Sequence, residues 1–225
     1  MAFSIIMILA HEYILLALDE ETGKFAFTIS GYCDFGVAGV VLGDLFLANH
    51  IKIENGKVIA TDLPMPTNAI LEKALLLIKR ESEQRSLEYW IMLFMSIFKE
   101  EARKLLITNM EEEGILGREK IIFQKIYKKV RHPLKNPSLK ANLLRNIEDT
   151  LMIDSIDEMD PKMRVLIGLV NATELDRSLF EKEFRVQMKE KMKKIMESDL
   201  IASAIRVRIE ENAKEAMAMI NSAFT

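Results

Sequence analysis

The chain has 225 residues, of which 49% are apolar and 29% charged, with a formal net charge of −3. That length can bury a sizeable core, and nine glycines and five prolines without a Ser-, Gly- or Pro-rich tract leave no linker, so one domain over residues 1–225 is expected. The lone Cys33 excludes an internal disulfide and fits a reducing compartment, and no window supplies the roughly 18 uninterrupted apolar residues of a membrane helix.

Met1–Ala10 is apolar, has no basic leader and runs into His11 and Glu12, so it reads as neither a secretion signal nor a span. Ile5–Leu18 predicts a helix that stops in the polar turn Asp19–Gly23. A second helix is predicted over Phe35–Leu47. Its Gly36, Gly39 and Gly43 fall three and four apart, a stripe of small residues where another helix can come close. No GxGxxG or GxxxxGK[ST] pattern turns those glycines into a phosphate loop. Ile51–Ile59 is a hairpin with Asn55-Gly56 at its turn, since both residues tolerate positive φ. Asn68–Lys79 and Leu87–Glu112 predict helices, the second bent or interrupted, and Gly114 closes it.

Lys120–Val130 has strand composition, Pro133 and Pro137 mark a loop, and Ser138–Met152 is helical. Asp160-Pro161 is a helix start, an acid at the N-cap and a proline where its missing N–H does no harm. The helix that follows, Lys162–Ala172, is apolar nearly all round and is expected at the centre of the core. Leu175, Leu179, Phe184, Met188, Met192 and Ile195 predict one amphipathic helix, and Ala202–Ala223 a last one. The fold class expected is mainly α: a multi-helix domain with a buried central helix and one or two β-hairpins.

Little in this sequence points to catalysis. His11, His50 and His132 are far apart, and none has the HxxxH or HExxH spacing of a metal site. No GxSxG elbow and no kinase motif set is present. The carboxylate pairs Glu20-Glu21, Glu100-Glu101 and Glu111–Glu113 fall at helix ends or on solvated faces, with nothing to shift their pKa values. Trp90 and most of the 14 methionines read as core filling. A binding protein is expected, with no enzymatic activity, no metal and no cofactor.

The charge is segregated. Arg118–Arg145 holds nine basic residues and one acid, so it carries +8 and the rest of the chain −11; Asn146–Asp160 follows with six acids and no Lys or Arg. Three readings stand for the basic segment. It is a solvated surface, a nucleic-acid wing, or a membrane-facing hairpin. The helix before it ends in Glu111-Glu112-Glu113, which would repel phosphate and argues against nucleic acid. For a membrane, Lys120, Lys125, Lys128, Lys129 and Arg131 surround Phe123, Ile126 and Tyr127, so charge and an apolar wedge occur together. Each basic residue near an anionic surface contributes about 1 kcal/mol, and apolar tips enter the interface.

Several motifs in order resemble the Golgi phosphoprotein 3 family: Glu12–Lys24, Gly39–Leu47, Pro66–Leu75, Trp90–Leu93, Glu112–Leu116, His132–Leu134 and Arg164–Leu169. The resemblance spans nearly the whole chain and points to a prokaryotic-type member. It implies a mostly helical domain whose β-hairpin takes part in membrane contact and self-association, and, in eukaryotic members, a pocket for phosphatidylinositol 4-phosphate. Of four pocket positions only Arg103 carries the family's residue; the others fall on Ile29, Ala38 and Glu100. A lipid headgroup is then expected at Arg103 with Lys99 or Lys104. The expectation is a cytoplasmic protein, peripheral at the inner face of the membrane, that binds anionic phospholipid and self-associates. The alternative is a protein–protein adaptor that never touches lipid.

Overall fold

The computed structural model describes residues 7–19, 24–25, 32–123 and 127–223. Helix α1 (Leu9–Ala17) leads into a two-residue antiparallel ladder, β1 (Leu18–Asp19) with β2 (Lys24–Phe25). Then come α2 (Cys33–Leu47), the hairpin β3 (Ile51–Glu54) with β4 (Lys57–Ala60), and α3 (Ala69–Arg80). Helix α4 (Leu87–Leu93) continues through a π-turn at Phe94–Phe98 into α5 (Lys99–Glu112). The hairpin β5 (Glu119–Phe123) with β6 (Tyr127–Arg131) follows. The rest is helical: α6 (Ser138–Met152), a 3-10 turn at Ile156–Glu158, α7 (Pro161–Ala172), α8 (Asp176–Leu179), α9 (Lys182–Ser198) and α10 (Leu200–Ala223).

The protein is mainly α, and among the described residues its sheets are three separate two-stranded ladders. The centre holds three helices rather than the one expected. All nine residues of α1 are buried, as are twelve of the fifteen in α2 and the run Val165–Val170 of α7. The glycine stripe of α2 is what lets them meet. A Cβ on Gly36 would lie 1.9 Å from Tyr13 Oη of α1. One on Gly39 would lie 2.6 Å from Leu169 of α7, and one on Gly43 2.7 Å from Leu9 of α1. Tyr13 in turn donates to Thr173 Oγ1 at 2.9 Å, so its hydroxyl is satisfied in the core.

A helix buried on every side cannot use water for its first N–H groups. Ile8 at the N-cap of α1 has no side-chain acceptor, and Asp44 of α2 supplies one from across the interface. Leu9 N–H donates to Asp44 Oδ1 at 2.8 Å and Ala10 N–H to Oδ2 at 2.9 Å. Burial raises the Asp44 carboxyl to about 6 although both bonds favour the charged form. His11 ties the same helix to α5 and α3: its Nε2 lies 3.1 Å from Asn109 Oδ1, which also accepts from Asn68 Nδ2 at 3.1 Å. Burial lowers the His11 pKa, so the ring is a neutral structural group there.

Caps are local, and they appear where the sequence puts them. Asn68 Oδ1 accepts from Ile70 N–H, Ser86 Oγ from Tyr89 N–H, and Asp160 Oδ1 from Met163 N–H ahead of Pro161 at the first helical position. The β3–β4 turn has Asn55 at φ 51° and Gly56 at φ 73°, as the Asn-Gly pair predicts. Trp90 is buried, edge-on to Phe94, which tilts onto Phe98 across the π-turn that interrupts the long helix.

Several boundaries differ from expectation, among them the start of α2, which comes two residues early at Cys33. Helix α1 ends at Ala17, because Leu18 is extended and pairs with Phe25; the expected helical residues Ile5 and Ile6 lie outside the described residues. The single amphipathic helix predicted from Leu175 onward is two. Phe180 breaks it with an extended backbone (φ −124°, ψ 146°), which carries its ring into the core against Phe184 at 5.3 Å. The last helix begins two residues early, where Asp199 Oδ1 accepts from Ile201 and Ala202 N–H.

Two outcomes test this arrangement. Gly36→Ala drives a methyl into Tyr13 and should lower Tm by about 5–10 °C in a thermal melt, the size of an overpacking penalty of a few kcal/mol. Asp44 titrates near 6 when folded and near 3.8 when unfolded, so between pH 4 and 6 the folded state holds the extra proton. Stability of the wild type should therefore fall by about 2–3 kcal/mol across that window as pH rises, relative to Asp44→Asn, by denaturant melts at each pH.

Candidate functional site

The residues expected to meet a headgroup lie on α5, held there by three anchors. Gly114 ends the helix with φ 75°, Ile115 and Leu116 go into the core, and the chain then turns into β5. The hairpin's foot is tied by backbone bonds, Gly117 N–H to Pro133 O at 2.7 Å and Lys135 N–H to Ile115 O at 3.0 Å. The register above it pairs Glu119 with Arg131, Ile121 with Lys129, Ile122 with Lys128 and Phe123 with Tyr127. Glu119 and Arg131 also form an ion pair at 2.6 Å. Lys125 and Ile126 at the tip lie outside the described residues.

Between α5 and this foot lies an open cleft of about 380 Å³. Arg103, Lys104, Ile107, Thr108 and Glu111 face it from α5, a spacing that puts them on one side of a helix. Arg118, Val130 and His132 face it from the hairpin. Glu111 bridges the two walls, with His132 Nδ1 at 2.7 Å from Oε1 and Arg118 Nη1 at 3.8 Å from Oε2. Lys104 is exposed and, among the described residues, has no carboxylate partner. The cleft therefore holds three permanent cations, Arg103, Lys104 and Arg118, against Glu100 and Glu111.

The three candidate residues separate. Lys99 does not line the cleft; its Nζ lies 3.4 Å from Asp34 Oδ2 at the start of α2. Arg103 divides itself, with Nη1 3.3 Å from Asp34 Oδ1 and Nη2 paired to Glu100. Lys104 is committed to the cleft alone. Of the remaining pocket positions, Ala38 is 3% exposed inside α2 and Glu100 points outward as the partner of Arg103; Ile29 lies outside the described residues. Arg118 and His132 are not singled out by the sequence. The signal available was that they directly precede β5 and directly follow β6, so closing the hairpin brings both to its foot.

Chemically, the three cations of the cleft can hold an anion. Among the described residues no cluster of His, Cys, Asp or Glu could hold a metal ion. A family model described as Golgi phosphoprotein 3 (GPP34) matches residues 9–212. The chain belongs to the Golgi phosphoprotein 3 family. That family is known for binding phosphoinositide lipids. Arg103, the expected headgroup arginine, is coupled in this chain to Asp34. Among the described residues no helix is long and apolar enough to cross a membrane.

The Asp34 pairs are partly exposed, so their effect on stability is small. Asp34→Asn should lower stability by roughly 0.5–1 kcal/mol, and a double-mutant cycle with Arg103→Met should assign most of that loss to the pair, read in urea melts.

Proposed function

We propose that this Golgi phosphoprotein 3 family member is a peripheral binding protein for anionic phospholipid, with contact made by the β5–β6 hairpin and the cleft at its foot. The observation that carries this reading is the continuity of charge. Lys104 and Arg118 in the cleft run directly into the hairpin that bears Lys120, Lys125, Lys128, Lys129 and Arg131. A headgroup phosphate seated between Lys104, Arg118 and Arg103 would leave the hairpin tip, with Phe123, Ile126 and Tyr127, to enter the interface. The cations supply long-range attraction and the apolar tip short-range insertion, the two signals a reversible anchor needs.

Asp34 has a place in this scheme as well. It already holds Lys99 and half of Arg103, so the headgroup contact moves along α5 toward the hairpin, with Lys104 and Arg118 as the leading residues and Arg103 as support. Recognition of this kind responds to charge more than to the pattern of phosphates on an inositol ring. No catalysis is part of the reading. The protein–protein adaptor reading draws on the same pairs, since they neutralise two of the expected headgroup ligands.

Co-sedimentation with vesicles of graded anionic content separates the two. Wild-type protein should bind at low salt and release as salt rises. Reversing Lys125, Lys128 and Lys129 to Glu should weaken partitioning roughly a hundredfold or more, since three basic residues contribute about 1 kcal/mol each. Lys104→Glu with Arg118→Glu should weaken it about tenfold or more. Wild-type protein that stays in the supernatant even with highly anionic vesicles leaves the adaptor reading standing.

A further inference from the structure

A groove of about 630 Å³ runs between α9 and α10 and shares no residue with the hairpin cleft. Most of its carboxylates are already paired, and Asp176 lies in the field of Arg185 and Arg177. Glu174 pairs with Arg177 at 3.0 Å and with Arg206 at 3.2 Å, Glu210 with Arg206 at 2.7 Å, and Glu197 with Lys193 at 3.7 Å. Lys182 and Lys189 line the same groove, and among the described residues no carboxylate pairs with either. They bracket Val186, which is 69% exposed, and the spacing 182, 186, 189 makes one stripe of α9. Val207 of α10, 47% exposed, also lines the groove, and buried Met196 contributes to it. What this surface lacks is an acidic partner carrying an apolar side chain between its charges.

The same chain carries such a surface. Glu148, Asp149 and Met152 stand on one exposed side of α6, Met152 at 57% exposure, and exposed Asp154, Asp157 and Glu158 follow. The acidic segment cannot reach the groove of its own copy. Lys191 pairs with Ile153 O, just beyond the end of α6, and residue 191 lies half a turn around α9 from the Lys182–Val186–Lys189 stripe. The two surfaces therefore sit on opposite sides of α9 in each molecule.

We infer that the α9–α10 groove takes the Glu148–Glu158 face of a second copy of this chain, head to tail. Met152 enters beside Val186 and Val207, while the carboxylates meet Lys182 and Lys189. The contact is heterologous, each copy giving one surface and receiving the other, so growth continues until a ring closes. It is independent of the hairpin and of lipid.

Sedimentation velocity on the full chain tests this. Wild-type protein at low salt should gain mass with concentration, and raising salt to about 0.5 M should weaken association roughly tenfold, since the pairs are solvent-accessible. Lys182→Glu/Lys189→Glu and Glu148→Gln/Asp149→Asn should each be monomeric alone with Tm unchanged, the second face being neutral so that it has no attraction for the reversed groove. Mixed one to one they should form a dimer that grows no further, because the first keeps its acidic face and the second its groove. Wild-type protein that is monomeric throughout overturns the inference, as does a mixture that fails to pair. So does self-association left intact in Lys182→Glu/Lys189→Glu, including the case where that variant instead loses binding to anionic vesicles.

Discussion

Asp44 has a task that follows from how deeply α1 is buried. A helix with all nine residues inside the protein leaves its first N–H groups no water, and an unpaired N–H in the interior costs on the order of 1–3 kcal/mol. The carboxylate of α2 takes two of them, at 2.8 and 2.9 Å. That bond fixes where α1 begins relative to α2, and the fixed depth is what places Tyr13 over Gly36 and Leu9 over Gly43. Once α1 and α2 are locked, α7 closes over Gly39 and α9 and α10 pack outside it. The charge of Asp44 is tolerated because both bonds favour it, while burial pulls its pKa the other way.

The hairpin cleft and the α9–α10 groove hang from the outer edge of this core. Helix α5 meets the core through Ala102, Leu106 and Met110, and the face that turns away holds Lys104 and Thr108. Gly114 then lets the chain reverse so that Ile115 and Leu116 stay inside while the hairpin projects. The same economy operates at the other side, where α9 buries Met188, Met192 and Ile195 and presents lysines outward. In both places a helix that is half core and half surface supplies the cations, and the polarity of each face follows from the four-residue repeat.

Asp34 separates this chain from a simple basic patch. By pairing with Lys99 and Arg103 it turns two cations into a joint between α2 and α5. Cations held that way are less available to a ligand than exposed Lys104, which has no carboxylate partner among the described residues, or Arg118, whose pair with Glu111 is long at 3.8 Å. The cations of this site that no nearby carboxylate holds closely therefore gather at the hairpin foot and not deeper along α5.

The sequence by itself determined the local decisions. Asn55-Gly56 set the first hairpin, Asn68 and Asp160 marked helix starts, and the apolar repeat of α7 announced its burial, because each depends on residues within a turn or two. The glycine spacing of α2 announced a close approach without naming the partner, and the ordered motifs were enough for a resemblance to the family. Only the tertiary structure decided that Asp44 caps α1, that Phe180 breaks a periodic helix to reach the core, and that Lys99 and Arg103 answer to Asp34 while Lys104 joins Arg118 and His132. Those pairings span 14 to 69 positions or hinge on core packing, and no repeat of 3.6 or 2 encodes which distant face a side chain will meet.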